Sequence, residues 1–220
     1  MLFSDPGASP TETIAAELRD YPEWHRGRER YGVWMIPVDE PLLLSYIQTV
    51  QQQLADLLHP SPQRQPHLTL FVCGFEQPIC VDDDDFSPQQ LSRQIDGLNQ
   101  VRGSVCSLSL GRPDSFASAA FIPVGDSDGR LSRWRDALNG VAREIRQATY
   151  IPHITLGLYK RRVGADVVRQ RLASFDAPPM SLAVTQLHYA TYDARTQLGR
   201  LESQHRLMLN PVDRRGGPAC

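Results

Sequence analysis

Two copies of one short motif, Pro66-His67-Leu68-Thr69-Leu70 and Pro152-His153-Ile154-Thr155-Leu156, hold the residues best suited to chemistry in this chain. In a β-strand, residues i and i+2 point to the same side. Each motif therefore presents an imidazole and a hydroxyl together and turns its aliphatic residues to the opposite face. Two such strands side by side would set two histidines and two threonines around one small anion. Histidine titrates near neutrality, so one ring of such a pair can take a proton while the other gives one. Thr69 and Thr155 would donate hydrogen bonds to non-bridging phosphate oxygens. This is apparatus for acid–base chemistry on a phosphodiester, with water attacking phosphorus in line with a departing oxygen. The scheme needs no metal and no cofactor, and two histidines are too few protein ligands for a typical zinc site. Strand alternation places Phe71 on the face of His67 and Thr69, and Tyr159 on the face of His153 and Thr155. Both are candidates to border the site and stack a base, or else to pack beside it.

The elements that must position these residues repeat as well. The two histidines stand 86 residues apart, and the same offset carries Ile36-Pro37-Val38 onto Ile122-Pro123-Val124. Between proline and histidine each half holds a helical stripe: Leu43, Ile47, Val50, Leu54 and Leu57 in the first, Leu131, Trp134, Leu138, Val141 and Ile145 in the second. The stripes are out of phase by a residue or two, so the match is architectural. A second helix follows each motif. Ser87-Pro88 reads as a cap with proline in the first turn, ahead of Leu91, Ile95 and Leu98. Its counterpart spans about 166–175, with Val168 and Leu172. Strand-like runs follow at 105–110 and 181–187, and a terminal hairpin at about 188–209. The expected fold is α+β: two pseudo-symmetric lobes, each an antiparallel sheet with helices on its outer side, and a cleft between the sheets. The expected division is a flexible arm at 1–29 with a short helical stretch near Thr13–Arg19, a bilobal domain at 30–210 and a disordered tail at 211–220. Within the domain the first repeat covers about 31–110, the second about 117–187, and the hairpin 188–209.

Composition narrows the partners. At 220 residues the chain is long enough for a real core, and its formal net charge of −2 excludes a generic nucleic-acid coater. A nucleic-acid substrate would be small, or met only at an end. The four cysteines show no metal-binding spacing, which fits free thiols in a reducing cytoplasm. The first ten residues lack the features of a signal peptide, and no apolar run reaches transmembrane length, so a cytoplasmic protein without membrane contact is expected. No obligatory protein partner is evident, and a monomer is expected. The acidic run Asp82–Asp85 reads as a solvated loop, with a metal site as the weaker alternative.

Two H-x-T motifs in two pseudo-repeated lobes resemble the two-histidine (2H) phosphoesterase superfamily, which includes the 2′-5′ RNA ligase-like proteins and cyclic nucleotide phosphodiesterases. The resemblance runs from about Tyr31 to Leu209. It implies that His67 and His153 are the acid–base pair and that Thr69 and Thr155 hold the phosphate. It also implies a metal-independent hydrolysis of a 2′,3′-cyclic phosphate on a nucleotide or RNA end, generally to the 2′-phosphate. Many ligase-like members carry an arginine two residues after the second motif. Gly157-Leu158 stand there in this chain, and Lys160, Arg161 and Arg162 follow as possible substitutes. The same site could serve 2′-5′ oligonucleotides, cyclic dinucleotides or ADP-ribose cyclic phosphate. Other classes are a nucleotide- or RNA-end-binding module without turnover, and a structural protein whose motifs are core strands.

Overall fold

In a computed structural model, which describes residues 1–5, 7–60, 63–146 and 148–211, both halves fold in the expected order. The first half holds α1 (Pro22–His25), β1 (Arg30–Pro37), α2 (Pro41–Gln53), β2 (His67–Glu76), β3 (Asp85–Phe86), α3 (Pro88–Val101) and β4 (Cys106–Ser109). The second holds β5 (Asp114–Ser115), β6 (Ala119–Pro123), α4 (Arg130–Asn139), β7 (His153–Leu158), α5 (Ala165–Ala173) and β8 (Ser181–Val184). The terminal hairpin is β9 (Gln186–Asp193) and β10 (Glu202–Met208).

The strands run β10-β9-β1-β2 in the first lobe and β7-β6-β5 in the second, with β3 parallel to the outer part of β2. The two sheets meet where β2 lies beside β7, and that seam holds a single register pair, Leu68 with Ile154. The lobes therefore share one short bridge and diverge around it. The hairpin completes the first lobe, because β9 pairs with β1 along six residues. β4 and β8 leave both lobes and pair with each other in a separate two-stranded sheet.

The helices lie across the halves. α2 of the first half packs on β7 of the second, while α4 of the second half packs on β2 of the first. Leu43, Ile47 and Val50 supply the buried face of α2, and Leu131, Trp134 and Leu138 that of α4. Both stripes outrun their helices. Leu54, Leu57 and Leu58 are buried in the turn after α2, and Val141 and Ile145 lie beyond the Gly140 cap of α4. The Ser87 cap is a full capping box, in which the Ser87 hydroxyl accepts from Gln90 N–H and the Gln90 side chain from Ser87 N–H. α3 packs beside α4 and carries a fully buried amide, Gln94. Its oxygen accepts from the Trp34 indole at 2.8 Å and its nitrogen donates to the Leu138 carbonyl at 3.1 Å, which satisfies both ends of the group.

The segment 1–29 departs from the expected flexible arm. Phe3 and Thr13 are buried at 1% exposure each, and Thr13, Ile14 and Ala16 donate backbone hydrogen bonds to Val163, Ala117 and Tyr159. The short helical stretch expected near Thr13–Arg19 is instead extended chain bonded along the second lobe, and among the described residues of this segment the only helix is α1. The chain then crosses to the first lobe. There Arg28 is buried against the Phe75 ring and pairs with Asp84 at 2.6 Å and Asp85 at 2.7 Å, while Arg26 reaches Asp82 and Asp84. The acidic run is thus the counter-charge of two arginines. The tail from Val212 onward lies outside the described residues. Among the described residues no helix is long and apolar enough to cross a membrane.

Candidate active site

Each motif strand carries a β-bulge immediately after its threonine. Along β2, Thr69 pairs with Met35 but Phe71 with Trp34, which leaves Leu70 without a partner. Along β7, Thr155 pairs with Phe121 but Gly157 with Ala120, which leaves Leu156 without one. The bulged leucines obey the same 86-residue offset as the histidines. A bulge adds one residue to one strand and reverses the alternation beyond it. Up to the threonine, the motifs therefore present imidazole and hydroxyl to the cleft. After it, the next side chains turn into the core.

This overturns the base-stacking candidates. Phe71 and Tyr159 are both 0% exposed and belong to the main core cluster. Tyr159 also shares a 2.8 Å hydrogen bond with the buried Ser115 hydroxyl. The aromatic rings at the site are two others. Phe116 and Phe121, stacked on each other at 4.2 Å, stand 5.1 and 5.2 Å from the His153 ring. Phe121 could have been found in the sequence, because it occupies in the second repeat the place of Met35 in the first. Phe116 has no such signal. Lys160, Arg161 and Arg162 are also engaged elsewhere: Lys160 and Arg161 bond the Ala55 and Asp56 carbonyls and Arg162 pairs with Glu12.

The histidines are held alike. The Nδ1 of His67 lies 2.7 Å from the Gln65 carbonyl, and that of His153 lies 2.6 Å from the Ile151 carbonyl. A carbonyl only accepts, so each Nδ1 carries the proton and each Nε2 keeps its lone pair. Among the described residues neither Nε2 has a protein partner, and neither does the Thr69 or Thr155 hydroxyl. The four groups are oriented by the backbone but not consumed by it. The Gln65 loop is itself clasped: its side-chain amide donates to Leu201 O and accepts from Leu201 N–H, in the β9–β10 connection.

Burial pushes the His67 pKa down to about 4, with Arg64 and His153 adding to the shift and the Gln65 carbonyl opposing it. Burial also lowers His153, helped by Arg146 and opposed by the Ile151 carbonyl. Both rings are therefore neutral bases at pH 7, and an anion between them favours the protonated form of one. Arg64 and Arg146, whose charges act on the two rings, are candidate site residues that the motif did not reveal. Arg64 sits three residues before His67 and donates to the Gln197 carbonyl, while Arg146 is exposed. Neither has a carboxylate partner among the described residues.

Beyond the single Leu68–Ile154 pair, the inner edge of β2 is bonded by side chains and loop from the other half instead of by a strand. Tyr150 donates its hydroxyl to Thr69 O at 3.0 Å, Arg135 donates to Leu70 O at 2.6 Å, and Val72 N–H donates to Glu144 at 3.0 Å. Arg135 and Glu144 form an ion pair at 2.6 Å, and the Arg135 guanidinium lies 3.7 Å over the Tyr150 ring. These groups hold the sheets apart where the cleft opens. As for a metal, carboxylate oxygens of Asp82, Asp84 and Asp85 lie within 4.8 Å of one another, but the Arg28 guanidinium already pairs with that cluster.

A family model described as the 2′-5′ RNA ligase superfamily matches residues 38–196. Solved structures share the fold at low identity. The LigT protein of E. coli, solved in complex with 3′-AMP, is 15% identical at a TM-score of 0.53, over 82% of this chain and 98% of that one. TT0787 of Thermus thermophilus is 12% identical at 0.54, over 83% and 99%. ATU0111 of Agrobacterium tumefaciens is 15% identical at 0.55, over 87% and 90%. No curated protein matches the chain. The family match spans both histidine motifs, and the bulged strands that carry them fold as one pseudo-symmetric pair; the chain belongs to the 2′-5′ RNA ligase superfamily, the two-histidine phosphoesterases.

Proposed function

We propose that the protein hydrolyses the 2′,3′-cyclic phosphate of a nucleotide or RNA end, releasing the 2′-phosphate, without a metal ion. The observation that carries this reading is the paired geometry of His67 and His153. Each has Nδ1–H on a carbonyl two residues upstream and a free Nε2, and each stands beside a threonine hydroxyl with no protein partner. One Nε2 takes the proton of the attacking water as its oxygen bonds to phosphorus. The other, protonated, gives its proton to the 3′ oxygen as the P–O3′ bond breaks. Thr69 and Thr155 donate to the non-bridging oxygens, whose charge grows in the transition state.

Burial and a nearby arginine charge depress both rings, Arg64 for His67 and Arg146 for His153, so the orientation of the bound substrate sets which ring is base and which is acid. The test is turnover of the four nucleoside 2′,3′-cyclic monophosphates in excess EDTA, with the product phosphate identified by chromatography. Turnover by the wild type and its loss in folded His67→Ala and His153→Ala is the expected result. Turnover that EDTA abolishes would remove the metal-free mechanism. No turnover would move the reading to 2′-5′ oligonucleotides, cyclic dinucleotides or a binding role.

A further inference from the structure

Residues on the concave face of the first lobe extend the site beyond the histidine pair. β1 keeps strict alternation, since both irregularities of the β1–β2 ladder add their residue to β2 and the β1–β9 ladder has none. Tyr31, Val33, Met35 and Pro37 therefore share one face of β1, the face on which Pro37 stands opposite His67 and Met35 opposite Thr69. Next to Tyr31 on that face is Tyr192 of β9, with ring centres 5.6 Å apart. Trp24 of α1 closes the row at 5.0 Å from the Tyr31 ring. Trp24 and Tyr192 are only partly buried, so this row of rings ends in accessible surface.

The charges along this row are unusual for a chain of net charge −2. The Arg64 guanidinium lies 4.2 Å from the centre of the Tyr192 ring. Ile145 packs against the Tyr31 cluster that Trp24 and Tyr192 also border, so the exposed Arg146 that follows it lies at the edge of the aromatic row. Neither arginine is neutralised by a carboxylate among the described residues. Flat apolar rings and stacked guanidinium, joined by uncompensated positive charge to a phosphodiester site, match the chemistry of one more nucleotide: a base to stack and a phosphate to neutralise. Trp24 lies outside residues 38–196 that the family model matches, so the outer end of this row belongs to this chain's own N-terminal segment.

We propose that the Trp24–Tyr31–Tyr192 row, with Arg64 and Arg146, binds the nucleoside and phosphate next to the scissile one, so that the substrate is the end of a single-stranded oligonucleotide and not a free mononucleotide. This rests on the phosphodiesterase reading above and adds a length requirement to it. Binding of a neighbouring base should raise kcat/KM for a dinucleotide over a mononucleotide by at least about fivefold, the lower range for one stacked base.

The experiment compares adenosine 2′,3′-cyclic monophosphate with the dinucleotide ApA ending in a 2′,3′-cyclic phosphate, on wild type, Trp24→Leu and Arg146→Gln. The wild type should prefer the dinucleotide, and both variants should bring the ratio towards one. Arg146 is exposed, so its variant tests the idea even if Trp24→Leu fails to fold. Tryptophan fluorescence reads binding without turnover: Trp34 and Trp134 are 0% exposed, so quenching by the unreactive deoxydinucleotide d(ApA) 3′-phosphate reports on Trp24. A wild-type ratio near one with unquenched fluorescence overturns the proposal and leaves the phosphodiesterase reading standing. Absence of turnover on both substrates overturns that reading instead, and saturable quenching, weakened in Tyr192→Leu, then decides for the nucleotide subsite.

Discussion

The two half-sites meet the same structural demand with different chemistry. Each bulge leaves a leucine carbonyl without a strand partner, and each carbonyl is bonded by a side chain from the other half's helix. At Leu156 the donor is the neutral amide of Gln51 at 2.8 Å, and His59 N–H donates to Leu158 O alongside it. At Leu70 the donor is Arg135, tied to Glu144 and stacked on Tyr150. The backbone bond from the loop is common to both, since Ile145 N–H donates to Val72 O as His59 N–H does to Leu158 O, at the 86-residue offset. Shape is therefore repeated while charge is not. The first half-site rests on a largely enclosed ion pair and the second on an amide. An enclosed ion pair is costly to break, because the surviving charge is left without its partner, whereas losing the amide leaves only a neutral carbonyl unpaired.

The largest effects should be symmetric. Loss of the His67 or the His153 ring in the alanine variants removes one proton-transfer group and should lower kcat by roughly 10²–10⁴. A tenfold or larger inequality between two folded variants in steady-state assays would show that the halves share the work unevenly. Stability should be asymmetric. Glu144→Ala should cost about 3–5 kcal/mol in urea unfolding, because it strands Arg135. Gln51→Ala should cost about 0.5–1.5 kcal/mol. Equal costs would show that the two edges are held alike.

The pH dependence sharpens the first half-site. His67 binds its proton more weakly folded than unfolded, since its pKa is held at about 4 against an ordinary 6.5. Below 6.5 the unfolded chain takes up the proton and the folded one does not, so this group's contribution destabilises the fold progressively as pH falls towards 4. Melting temperatures of wild type and His67→Gln, followed from pH 7 to pH 4, should diverge in favour of the variant over that window. The smallest effect is expected at Tyr159→Phe, which loses the Ser115 hydrogen bond. It should cost about 1 kcal/mol while the Michaelis constant for a cyclic mononucleotide stays unchanged. A raised Michaelis constant would return Tyr159 to the site.

Much was legible from residue order. The two motifs, the prolines 30 residues ahead of the histidines and the apolar stripes named the candidate site groups and the order of elements. Local rules suffice there, because a helix stripe, a capping box such as Ser87–Gln90 and strand alternation each depend on neighbours a few residues away. The same alternation misplaced Phe71 and Tyr159. A bulge is defined by a mismatch between two strands, and nothing in His67–Phe71 alone records that Met35 and Trp34 will face Thr69 and Phe71.

By itself, the sequence singled out the two histidine–threonine pairs and showed that they come in two similar halves. The tertiary structure alone decided that α2 and α4 exchange lobes and that the segment 1–29 is pinned to both lobes with Trp24 at the end of the aromatic row. These contacts join residues far apart in the chain. They form because each bulged edge needs donors that its own half does not place there, and because the charge of Arg28 is buried only where Asp84 and Asp85 await it.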